Sequence, residues 1–95
     1  MCLANSYSEI KQKRCEELKK EIESKIAQGF LPNIKEMEKM VRKLKRKMSN
    51  LEFGSYFAPS LELVTKIDDV LAKLDGEIAA YRHFIDKYYQ SLEEQ

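Results

Sequence analysis

The sequence predicts an all-α protein: an antiparallel helical hairpin plus a long third helix, packed as a three-helix bundle with coiled-coil-like character. Three observations predict it. Apolar residues recur at steps of three and four along three separate stretches, the spacing that puts them on one face of a helix. Only three Gly and two Pro occur in 95 residues, too few for a turn-rich sheet fold. The first two stretches open on a capping-box pattern.

The first helix is expected over residues 7–28. Ser6 and Glu9 match a capping box, in which each side chain satisfies the backbone N–H of the other residue. Ile10, Cys15, Leu18, Ile22 and Ile26 then form its apolar stripe. Gly29 suits the position just past the end, where positive φ is needed, and Pro32 prevents simple continuation.

The second helix is expected over residues 34–52. Asn33 and Glu36 repeat the capping-box pattern. Ile34, Met37, Met40/Val41, Leu44, Met48 and Leu51 supply the apolar face, and Gly54 marks the end. The turn before it is so short that helices one and two should run antiparallel. Tyr56 and Phe57, in the following spacer, are expected to fold back over a helix end.

The third helix is expected over residues 60–93, about 50 Å long. Val64, Ile67, Leu71, Leu74, Ile78, Tyr81, Ile85, Tyr88 and Leu92 occupy successive a and d positions, with Leu63, Val70 and Phe84 widening the stripe at g. In this register Gly76 and His83 fall at f, facing solvent.

One small helical domain spanning residues 1–95 is the expected organisation. Its core is marginal for a monomer, which makes docking onto a second copy or another helical protein an expectation. Helices one and two, at about 33 and 27 Å, are shorter than helix three. That mismatch is expected to leave the C-terminal turns of helix three uncovered. Tyr81, Phe84, Ile85, Tyr88, Tyr89 and Leu92 lie there, and tyrosine-rich apolar surface is typical of protein interfaces. The competing expectation is that these rings close one end of the bundle internally.

Charge is balanced overall, at a formal +1, but not locally. Residues 32–57 carry seven Lys/Arg against three Asp/Glu, and residues 58–95 carry four against eight. The split is expected to make helices two and three complementary neighbours. Lys39, Arg42, Lys43, Arg46 and Lys47 also form a stripe along helix two that suits an anionic partner: nucleic acid, anionic lipid or acidic protein. No aromatic residue interleaves with the stripe to stack on bases.

Nothing in the sequence assembles a catalytic site, and the expectation is a protein without enzymatic activity, metal, cofactor or small-molecule substrate. His83 is the only histidine. A lone exposed histidine on a bundle is the minimal equipment of a phosphotransfer domain, but three helices are expected here where such a domain needs a four-helix core. The expectation is an ordinary surface histidine. There is no HExxH, no Glu-x-x-His and no glycine-rich phosphate loop. The spacing of Cys2 and Cys15 matches no zinc or redox motif, and Cys15 reads as a buried free thiol. Met1–Asn5 have no charged segment followed by an apolar run, so no signal peptide is expected there, and no stretch is apolar enough to span a bilayer. The expected setting is soluble and cytoplasmic. Heptads and capping boxes are generic, so they carry no functional residues across from any family.

Overall fold

The polar residues that precede each apolar stretch cap the helices. The computed structural model describes residues 6–94, and Cys2 and the Met1–Asn5 segment lie outside them. Helix α1 spans Tyr7–Ala27, α2 Ile34–Ser55 and α3 Leu61–Glu93. Ser6 Oγ accepts from the Glu9 backbone N–H at 3.3 Å, and Glu9 Oε1 accepts from the Ser6 N–H, completing the capping box. Asn33 Oδ1 accepts from the Glu36 N–H at 3.1 Å; only this half of the second box forms. Ser60 Oγ caps α3 through the Leu63 N–H. Gly29 takes the positive φ, 100°, that reverses the chain after α1.

The helices run up, down, up. Tyr7 meets Leu71 and Asp75, and Arg14 meets Glu77, so α1 runs parallel to α3. Glu38 meets Tyr89, while Met37, Val41 and Leu44 pack in one cluster with Ile78 and Ile85, so α2 runs antiparallel to it. The result is the expected all-α bundle, with α1 and α2 antiparallel to each other.

The bundle is built around α3. Backbone contacts within 8 Å join α1 to α3 and α2 to α3, and none joins α1 to α2. The reason is that α3 buries two strips. Ile78 and Ile85 face α2 in the main core, beside Met37, Val41 and Leu44. Ala72, Gly76 and Ala80 form a second strip, also buried. At 100° per residue the strips lie on roughly opposite sides of the helix. Gly76 therefore does not face solvent as its heptad position suggests. It touches α1: a Cβ placed there would overlap the Lys11 carbonyl oxygen and lie 3.0 Å from Arg14 Cβ and 3.1 Å from the Cys15 nitrogen. Small residues let the two backbones approach closely.

Two further expectations change. Tyr56 and Phe57 do not fold back; both stay exposed. They sit in a tight turn whose Phe57 and Ala58 N–H groups bond back to Gly54 and Ser55. The N-terminus of α1 lies level with Leu71–Asp75, so α1 offers no surface for them at that end. Cys15 is half-buried rather than buried, and free.

Candidate functional site

The C-terminal turns of α3 divide between core and surface. Phe84 and Ile85 are 7% and 9% exposed and belong to the main cluster, with Tyr81 half-buried against it. These three of the six expected interface residues are covered by the chain itself, because α1 and α2 both extend beside this end of α3. Burial raises the Tyr81 hydroxyl above its usual titration range, with Glu77 adding to the effect. Tyr88, Tyr89 and Leu92 remain exposed. The Tyr88 and Tyr89 rings meet edge to face with centroids 5.3 Å apart. The Tyr89 hydroxyl donates to Glu38 Oε2 at 3.1 Å, and this bond, with the carboxylate charge, holds its titration above the usual range.

Below these side chains lies a groove of about 390 Å³. Phe84 forms part of it together with Ile26 of α1, Pro32 of the connecting turn, Ile34 of α2 and Tyr88 of α3. Glu23 and Lys87 complete the lining with one charge of each sign. The groove exists because α1 and α2 stand apart around α3. Phe30 and Leu31, in the turn that leads into Pro32, are also exposed. Hydrophobic spacing alone picks out Tyr88 and Leu92 but misses Ile26, Pro32 and Ile34, which join the groove only through the packing of three elements.

The basic stripe is laid out as its spacing predicts. Lys39, Arg42, Lys43, Arg46 and Lys47 are all exposed, as are Lys35 and Lys45. Four of them, Lys39, Arg42, Lys43 and Arg46, line a surface depression of about 410 Å³. α2 and α3 are neighbours, as the charge split predicts, but their opposite charges do not form close ion pairs: among the described residues no cation of α2 lies within 4.0 Å of a carboxylate. Two acidic groups of α3, Asp75 and Glu77, pair with α1 instead. Arg14 Nε donates to Glu77 Oε2 at 2.8 Å, and Lys11 Nζ lies 3.6 Å from Asp75 Oδ2. Most of the stripe points away from the Met37–Val41–Leu44 face, while Arg42 at its edge lines a surface depression with Arg82 and Asp86 of α3.

No family model matches this chain, and no curated protein and no solved structure matches it either. The chemistry of the surface therefore carries the functional reading.

His83 is half-buried rather than fully exposed, its ring edge-on to Phe84 at 5.0 Å. Among the described residues no three His, Cys, Asp or Glu side chains cluster in a way that could hold a metal ion. No helix among them is long and apolar enough to cross a membrane.

Proposed function

We propose that this chain is a non-enzymatic protein-binding module, a small helical assembly subunit that docks through the C-terminal end of α3. The observation behind this reading is the apolar groove of Ile26, Pro32, Ile34, Phe84 and Tyr88, flanked by exposed Tyr89 and Leu92. Apolar side chains around a concave floor with few polar groups suit an inserted apolar anchor from a partner. Interface tyrosines add contact area at low entropic cost.

The partner in this reading is a second copy of the chain. The groove rim carries Glu23 and Lys87, and Arg82 and Asp86 lie one turn apart on α3. Mixed charge of this kind is self-complementary across a two-fold axis, where one patch serves both copies. Free Cys15 is in keeping with a reducing, cytoplasmic setting.

Sedimentation of the parent and of Tyr88→Asp combined with Leu92→Asp tests the proposal. The parent should sediment as a dimer at tens of micromolar and the double variant as a monomer with unchanged helical signal. A parent that is already monomeric at that concentration overturns the dimer.

A further inference from the structure

The outer face of α2 has a second feature that the groove does not explain. Lys35, Lys39, Arg42, Lys43, Arg46 and Lys47 fall within one sector of about 140°, centred on the side away from Met37, Val41 and Leu44, with Arg42 and Lys47 at its two edges. The same sector, continued past Asn50, reaches Phe53, and Phe57 follows in the turn after α2. Those two rings pack with centroids 5.4 Å apart. Phe53, Phe57, Tyr56 and Leu61 are 66%, 72%, 83% and 82% exposed, an apolar tip at the α2–α3 turn. Cations thus run along about 18 Å of helix and an apolar tip closes one end of the strip. Glu36, at the opposite end, is the only carboxylate in the sector.

We infer that this strip binds the surface of an anionic lipid bilayer, with the α2 cations on the headgroups and the Phe53–Phe57 tip in the boundary with the acyl chains. Charge complementarity selects an anionic surface, since none of the six cations has a carboxylate partner among the described residues. The tip selects lipid over nucleic acid. Base stacking uses rings set among the phosphate contacts, and no aromatic residue lies between Lys35 and Lys47. Leu61 contributes an aliphatic side chain that has nothing to stack on but dissolves in hydrocarbon. Cations along a helix with aromatic and leucine side chains for the acyl boundary are the working parts of a peripheral membrane surface.

The test is co-sedimentation of the full chain with vesicles of equimolar phosphatidylserine and phosphatidylcholine, and with vesicles of phosphatidylcholine alone. Binding should need phosphatidylserine. Lys39→Gln, Lys43→Gln and Lys47→Gln together should weaken it about a hundredfold, at about fivefold per cation. The matching triple Lys→Arg variant should bind as the parent does. All these side chains are exposed, so circular dichroism should be unchanged. Phe53→Ser with Phe57→Ser should remove the part of the binding that survives about 1 M salt, where the Debye length falls to about 3 Å. Equal binding to both vesicles, or parental binding by the Gln variant, overturns the inference. So does tighter binding to an oligonucleotide than to the anionic vesicles at the same ionic strength. Tyr88→Ala with Leu92→Ala, which adds no charge, should still need phosphatidylserine to bind and should still lose that binding with the three Lys→Gln changes, whatever its oligomeric state, so the two proposals stand or fall separately.

Discussion

The carbonyl oxygen of Lys11 occupies the space that a side chain at Gly76 would need. This contact sets the distance between α1 and α3. It has Arg14 Cβ and the Cys15 nitrogen around it, so two of the three neighbours are backbone and cannot swing aside. In an unconstrained helix Gly→Ala gains about 1 kcal/mol from propensity. Here Gly76→Ala must push α1 away, and we expect a net loss of about 1–3 kcal/mol. Urea unfolding measures it, and a stabilised variant would show that the helices are not in close contact.

The Arg14–Glu77 pair is the shielded link between α1 and α3, with side chains 28% and 23% exposed. Glu77→Ala leaves the guanidinium without its 2.8 Å acceptor and should lower stability by about 1–2 kcal/mol. The exposed Lys66–Glu62 pair is the control. Lys66→Ala should change stability by less than about 0.5 kcal/mol. Equal losses at the two sites would contradict the difference in burial.

Tyr7 gives a pH dependence with a definite sign. Burial, then the hydrogen bond to Asp75, pushes its hydroxyl up to about 12 from an ordinary value of 10. Between these values the folded chain keeps a proton that the unfolded chain has lost. The contribution is therefore complete below pH 10 and disappears as pH rises to about 12. Tyr7 is partly exposed, so solvent screening keeps the effect small. Tyr7→Phe should flatten the stability profile over this window. Denaturant unfolding of the two proteins across it is the measurement, and identical slopes would remove Tyr7 as the cause.

Leu44 and Leu61 test the division between core and tip. Leu44 is 4% exposed at the centre of the α2–α3 core, and Leu44→Ala should lower stability by about 2–5 kcal/mol. Leu61→Ala should stay within about 0.5 kcal/mol, since that side chain touches little. A large loss at Leu61 would mean that the turn is packed.

The sequence by itself determined the three helices, the caps at Ser6 and Asn33, the reversal at Gly29 and the basic stripe of α2. These depend on neighbours within about one turn, so local chemistry is sufficient. The stripe needed no partner to be legible, because a face that meets only solvent is set by helix periodicity alone. Tertiary structure decided the rest. Heptad arithmetic gave α3 one apolar seam and left Gly76 in water, because Ala and Gly carry little hydrophobic signal. Their burial follows from how closely α1 approaches, a property of the pair of helices. The same approach gave Asp75 and Glu77 to α1. It also brought Ile26 and Ile34 beside Phe84, and turned half of the expected aromatic surface into core. Helix length alone pointed to the C-terminal end of α3 as uncovered. The parallel offset of α1 against α3, fixed by contacts more than sixty residues apart in the chain, and the antiparallel course of α2 covered much of that end instead.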